Sequence, residues 1–492
     1  MIRYKSTRGS ENQLTSGQAI IKGIAEDRGL YVPDAIPKLP LTPDELALMP
    51  YKEVAFHIIR AFFDDYPDDD LRACVDGAYD GKFEADDVVP VVHAGSADFL
   101  ELYHGRTAAF KDMALAILPY LLAAAMRREH EDKKVCILTA TSGDTGKAAL
   151  EGFADVPGTE IIVFFPNKGV SEVQERQMVS QKGANTHVFA INGNFDDAQT
   201  GVKKIFADPA IERELAEAGV RLSSANSINI GRLVPQVAYY VYAYTRLIAR
   251  GRIKSGDKVN IVVPTGNFGN ILAAYYAGEM GIPVNRFICA SNKNKVLTDF
   301  INTGVYDANR EFYLTNSPSM DILVSSNLER LLYHLSGNDG AEVARLMEAL
   351  DTDRRYEVSD KIRSGMSRFY GGFADVDMTN DAIGEMYREN DYLIDTHTAV
   401  AYKVYENYVE ETGDTKPALI ASTASAYKFA DSVADSIGIG RGSNGFESIR
   451  RVYEATGVPV PSCLSDLEDA EIRFRDVVDV KDMPEAVKKS LK

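Results

Sequence analysis

The chain has 492 residues, 45% hydrophobic and 26% charged, which is too long for one core, enough for about two to four domains, and without the bias of a disordered protein. Its formal net charge of −18 argues against polyanion binding, because nucleic-acid proteins cluster Lys and Arg against phosphates and no such cluster occurs here. An anionic ligand would therefore need a locally positive site, made from helix N-termini and a few chosen basic side chains.

The four cysteines, Cys74, Cys136, Cys289 and Cys463, are far apart, form no CxxC pair, and read as small core residues in a reducing compartment. The seven histidines show no paired ligand spacing, so no metal is expected. The N-terminus lacks the apolar run of a signal peptide, and the most apolar stretch, residues 114–126, is too short to span a bilayer and contains Pro119. The expectation is a cytoplasmic protein with a small-molecule substrate and neither a nucleic-acid nor a membrane partner.

The first forty residues are loop-rich and lead into a helix over about 53–63, followed by an acidic run, 64–70, that reads as a solvated loop. Residues 88–93 and 99–103 read as strands, and a domain boundary is placed near residue 92. Lys111 then stands just ahead of one long apolar helix, in which Ala114, Ile117, Leu118, Leu121, Leu122 and Ala125 recur at helical spacing. The run 135–139 is a buried parallel strand, Thr141-Ser142-Gly143-Asp144-Thr145-Gly146 a polar turn, and 147–154 a helix. That geometry gathers backbone N–H groups around an anion. A strand over 161–165 and a helix over 172–180 continue a βαβ series.

Residues 223–232 concentrate Ser, Asn and one arginine, Arg232, ahead of an aromatic-rich helix. This is either a plain polar loop or a phosphate grip. Strand 259–263, the turn Pro264-Thr265-Gly266-Asn267-Phe268-Gly269-Asn270 and helix 271–280 form another unit, with glycines that allow close approach to a phosphate. The turn is neither a Walker loop nor a full GxGxxG fingerprint. Strand 286–290 follows. Residues 305–390 read as a helical elaboration with Gly371-Gly372 in a loop, 418–422 as a strand with 423–429 its turn, and the last fifty residues as charged helix packed outside. Several strand–turn–helix units place candidate ligands at one edge of a parallel sheet. One lysine at a helix start then suggests an aldehyde cofactor held as a Schiff base, with its phosphate in a glycine turn.

The ordered motifs HGRTAAFKD, TSGDTG, NSINIGR, PTGNFGN, DTHTA and STASAYKF closely resemble the threonine synthase family, pyridoxal-phosphate enzymes of the tryptophan-synthase-β fold type. The leading KSTRG and RGLYVPDAIP resemble the N-terminal domain of its longer bacterial and fungal form. The resemblance implies an α/β fold of two lobes with parallel or mixed sheets flanked by helices. Its divisions fall at 1–92 (N-terminal), 93–440 (catalytic) and 441–492 (C-terminal extension). It implies pyridoxal 5'-phosphate bound through Lys111, with its phosphate cradled by Gly266, Asn267, Phe268, Gly269 and Asn270 and Thr265 at the edge. Thr423 would meet the pyridine nitrogen, and Asp144 the ring hydroxyl. Thr141, Ser142, Gly143 and Thr145 would hold a substrate carboxylate; Asn226, Ser227 and Arg232, assisted by Lys428, would hold a substrate phosphate. The implied reaction converts O-phospho-L-homoserine and water to L-threonine and phosphate, in a protein that is a monomer or a homodimer.

Lys111 would need an amine well below the usual pKa of about 10.4, through desolvation and nearby cations. Three positions depart from the family pattern: Arg106 stands where proline is usual, Ala108 where leucine is, and Thr396 where proline is. Arg106 is expected to point outward, and His397 and Thr398 to line the site or to pack. The alternatives are a phosphohomoserine lyase, a β-replacement enzyme on serine derivatives, and a non-catalytic ligand-binding homologue.

Overall fold

Short runs of β-branched residues build two sheets, and the helices between them cover both sheet faces. The computed structural model describes residues 1–491 apart from Glu11, Ser142 and Gly169. In the first sheet, strands Val477–Asp479, Thr186–Asn192, Thr159–Pro166, Lys134–Ala140 and Val220–Ser223 lie in that order, all parallel. In the second the order is Phe369–Phe373, Val284–Ser291, Val259–Pro264, Ala418–Ser422, Ala97–Glu101 and Val91–Ala94. Only the last pair there is antiparallel. Two small antiparallel pairs, Tyr4–Ser6 with Tyr31–Pro33 and Val305–Asp307 with Arg355–Glu357, complete the set.

The turns after Ala140, Pro264 and Ser422 leave the carboxyl ends of parallel strands, the edge on which ligands of open α/β sheets collect. The N-terminal residues share the main core: Tyr51 meets Tyr242 edge-on at 5.3 Å and Phe62 stacks on Tyr276 at 5.9 Å. No described helix is long and apolar enough to cross a membrane.

Four expectations need correction. The helix after Lys111 is not continuous: Asp112–Leu115 ends and Leu118–Arg128 begins, because Pro119 has no N–H to donate and fits only a first turn. The acidic run is not simply solvated. Asp68, Asp69 and Asp70 form the first turn of helix Asp68–Tyr79, at its positive end, and buried Asp65 pairs with Arg128 at 3.2 Å. Gly371 and Gly372 sit inside the edge strand Phe369–Phe373, where Cβ atoms would crowd Thr298 and Val404. The last fifty residues are not all external helix: Val477–Asp479 extends the first sheet, and Met483 and Val487 are fully buried.

The short Lys111 helix crosses helix Asp144–Phe153 at Gly152, where a Cβ would lie 2.1 Å from the Leu115 carbonyl oxygen. Gly→Ala inside a helix ordinarily gains up to about 1 kcal/mol, but here the methyl must push two helices apart. Gly152→Ala is expected to lose about 1–3 kcal/mol in urea unfolding. A gain would mean that this crossing is loose.

Candidate active site

Lys111 is held in position because its loop is pinned on both sides. Phe110 N–H donates to the Thr423 carbonyl at 2.8 Å, and Ser425 N–H to the Ala108 carbonyl at 3.1 Å, so the turn after strand Ala418–Ser422 pairs with residues 108–110. On the other side, both Asp112 carboxylate oxygens accept from Thr107, from its N–H at 2.8 Å and its hydroxyl at 2.6 Å. Burial nonetheless raises the Asp112 carboxyl to about 6. Ala108, fully buried, holds a left-handed φ of 54°, a strain of roughly 1–2 kcal/mol for an L-residue.

The Lys111 amine lies 3.8 Å from one Asp144 oxygen, and Lys428 lies 2.6 Å from the other. Gln174 adds a hydrogen bond to Asp144 at 2.9 Å. Burial alone would raise the Asp144 carboxyl, but Lys428, Lys111 and these hydrogen bonds hold it well below the usual carboxylate range. Burial pushes the Lys111 amine down; Asp144 opposes this, while Lys428 and Arg232 add to it. One carboxylate thus faces two amines, Lys428 fully buried and Lys111 largely so.

The turn after strand Val259–Pro264 is built to bind an anion. From Gly266 to Ile271 no backbone N–H meets a protein acceptor among the described residues, and Phe268, at φ 63°, opens helix Gly269–Met280 without a side-chain cap. At Gly266 a Cβ would lie 2.5 Å from the Ser319 carbonyl. The buried Asn270 side chain accepts from Tyr239 at 2.9 Å and from Tyr240, while its Nδ2 has no partner. Asn267 offers its carbonyl to Asn327. The Thr265 hydroxyl turns back to the Val263 carbonyl at 2.7 Å.

A second candidate anion site lies at the N-terminus of helix Ile230–Ala249. Arg232, in its first turn, is buried and donates to the Ala225 carbonyl at 2.8 Å; its Nε has no partner, and burial pushes it down to about 10. No described carboxylate pairs with it. Asn226 is exposed and Ser227 half-buried beside Asn327. In the turn after Ala140, the Thr141 hydroxyl accepts from Gly143 and Gly146 N–H groups at 3.0 and 2.9 Å, so it shapes the loop, whose Thr145 is half-buried. Ser142 lies outside the described residues. Lys428, expected beside a substrate phosphate, has its amine committed to Asp144 and the Thr107 carbonyl.

Three family models match the chain: "Threonine synthase N terminus" over residues 3–79, "Pyridoxal-phosphate dependent enzyme" over 100–423, and "Threonine synthase, C-terminal" over 398–490. The threonine synthase of Pseudomonas aeruginosa is 39% identical over 89% of this chain and 91% of its own. The chain belongs to the threonine synthase family. Threonine synthase-like 1 of Homo sapiens is also 39% identical, over 86% of this chain, but the match spans only 58% of that protein's length. The crystal structure of pyridoxal-phosphate-bound threonine synthase from Brucella melitensis superposes with a TM-score of 0.88 at 35% identity, covering 100% of both chains.

No motif in the sequence marks the residues that reach Lys111 from afar. Ser319, in the turn Pro318–Met320, places its hydroxyl 3.4 Å from the Lys111 amine. Its N–H donates to His397 Nε2 at 3.2 Å, and His397 Nδ1 meets Asp395 at 2.9 Å, which fixes the ring with its proton on Nδ1. The dipeptide Ser317-Pro318 signals a turn but not where the turn lies. Arg106 does point outward, to Glu151 at 3.4 Å. Thr396 occupies the first position of helix Thr396–Thr412, where proline is tolerated, and its buried hydroxyl has no partner.

Thr396→Pro is therefore expected to raise unfolding stability by about 1 kcal/mol, by removing an unsatisfied hydroxyl and stiffening the unfolded chain. A destabilised variant would mean that the hydroxyl is satisfied. Asp144→Asn strands the Lys428 amine and is expected to lose about 3–5 kcal/mol in the cofactor-free protein. Adding Lys428→Met should recover most of that; additive losses would contradict the pairing.

Proposed function

We propose that the protein converts O-phospho-L-homoserine and water to L-threonine and phosphate, with pyridoxal 5'-phosphate joined to Lys111. The observation that carries this reading is the pair of candidate anion sites flanking one buried lysine, the row of free N–H groups at 266–271 and the carboxylate-free Arg232. The donors fit a phosphorylated coenzyme at Gly266, Asn267, Phe268, Gly269 and Asn270 and a phosphorylated substrate at Arg232 with Asn226 and Ser227. When bound, the coenzyme supplies an electron sink for carbanion character at the amino acid's carbons.

The chain's own residues then do the following. Desolvation favours the uncharged form of the Lys111 amine, so its Nζ can take the α proton and return protons at later steps. Asp144, ionised between two amines, holds both in place. Arg232 and the N-terminus of helix Ile230–Ala249 hold the γ-phosphate, and stabilise it as it leaves with the bonding electrons. Thr423, whose backbone carbonyl accepts from Phe110 N–H next to Lys111, carries a hydroxyl of the kind that suits an uncharged ring nitrogen. Gly143 and Thr145 bound the loop assigned to the substrate carboxylate.

We divide the chain at about residues 92 and 440, and place it in the cytoplasm on the strength of four free cysteines, three of them buried. A lyase would use the same residues but release the eliminated product as an enamine, whose hydrolysis gives 2-oxobutyrate and ammonia, in place of adding water at the β carbon.

Incubation with O-phosphohomoserine is expected to release threonine and phosphate in equal amounts; 2-oxobutyrate in place of threonine would point to the lyase. Arg232→Ala should cut kcat/KM by about 100-fold or more, as loss of a buried charged donor implies. Unchanged kinetics would remove Arg232 from the phosphate site. Because the Lys111 amine is depressed, coenzyme uptake should rise with pH through a midpoint below the 10.5 of a free lysine. A midpoint at or above that value would contradict its desolvation.

A further inference from the structure

Arg330 is the largest fully buried side chain among the described residues, at 0% exposure, and it has no carboxylate of its own. Burial pushes its guanidinium down to about 10, so it is still charged at neutral pH. Such a charge is costly to bury, and an apolar side chain of similar length would avoid the cost. The cost is offset by what the guanidinium holds. Its Nε donates to the Tyr31 carbonyl at 3.0 Å, one terminal nitrogen to Asn327 Oδ1, and the other to the Ile228 carbonyl. These acceptors come from the N-terminal strand Tyr31–Pro33, from the segment facing the Gly266–Asn270 turn, and from the loop that ends at Arg232.

Because a guanidinium only donates, it fixes the Asn327 amide with its oxygen inward. Asn327 Nδ2 is then aimed at the Asn267 carbonyl, 3.0 Å away, and at the Ser227 hydroxyl, 3.3 Å away. One charged group thus sets the distance between the two candidate anion sites. Its neighbour Glu329 faces the other way and ties the N-terminal motif KSTRG to the same helix. Thr7 Oγ1 donates to it at 2.6 Å, and Arg8 grips it at 3.0 and 2.9 Å. Thr7 in turn accepts from Leu30 N–H at 2.8 Å.

We propose that Arg330 is a positioning residue that fixes the spacing of the two phosphate sites, and that Thr7, Arg8 and Tyr31 anchor it, making the N-terminal region a working part of the substrate site. This inference rests on the two-phosphate reading above. It makes the chain selective for a substrate whose phosphate stands at one fixed distance from that of the coenzyme.

Calorimetric titration of inorganic phosphate into the cofactor-free protein, paired with steady-state kinetics of the loaded enzyme on O-phosphohomoserine, tests it. Arg330→Met is expected to weaken phosphate binding and to raise KM by about ten-fold or more, with kcat changed far less. Arg330→Lys should recover part of the loss. A merely structural role would lower the folded fraction, and with it apparent kcat, leaving KM and phosphate affinity at wild-type values. Arg8→Met keeps the Arg330 guanidinium and its Tyr31 contact in place and removes one of the three anchors, the grip on the neighbouring Glu329. It should shift both constants in the same direction by a few-fold, and it keeps the test decisive if Arg330→Met does not fold. Wild-type KM and phosphate affinity in the folded variants would overturn the positioning role. A wild-type protein that binds no phosphate and leaves phosphohomoserine untouched would overturn the two-phosphate reading and the positioning role with it.

Discussion

Asp144 is the constraint on which the site depends. It is a single buried carboxylate with an amine on each side, Lys428 at 2.6 Å and Lys111 at 3.8 Å. One carboxylate is shared between two amines, and Arg232 adds a buried cation with no carboxylate partner among the described residues. In a molecule with a net charge of −18, the Arg232 guanidinium is thus a local positive charge that can draw an anion from an acidic surface into a low-dielectric cleft. Burial is the main cause of the depressed Lys111 amine, and Lys428 and Arg232 add to it against Asp144, so the cations that would attract a ligand also favour an uncharged lysine.

The fold serves that arrangement by bringing chain ends of parallel strands to one place and fixing them with long-range hydrogen bonds. The Thr423–Ser425 turn grips the lysine loop, the Ser319 turn is pressed onto Gly266, and Arg330 ties both candidate anion sites to the N-terminal strand. Left-handed backbone at Ala108 and Phe268 sits in the two turns that matter most, which is where strain is tolerated when the surroundings over-determine the geometry.

Strand–turn–helix units were legible in the sequence wherever an apolar run ended in glycines and hydroxyls, as at Gly266–Asn270 and Thr141–Gly146, because those patterns are local. The break before Leu118 was also written locally, in Pro119. What the sequence hid is tertiary. Gly371 and Gly372 carry turn chemistry yet lie in a strand, because close packing of Thr298 and Val404, not a bend, requires them. Arg330, Asn327 and Ser319 act largely through backbone carbonyls and N–H groups, which every residue has and no motif marks. Val477–Asp479 joins the first sheet at its edge through three residues, too few for any periodicity to show.

The central requirement is a covalent bond between the Lys111 amine and a coenzyme aldehyde. Borohydride reduction of the protein saturated with pyridoxal phosphate, followed by peptide mass spectrometry, measures it most directly. The pyridoxyl group is expected on Lys111; finding it on Lys428 or Lys147, or on no lysine, would contradict the site described here.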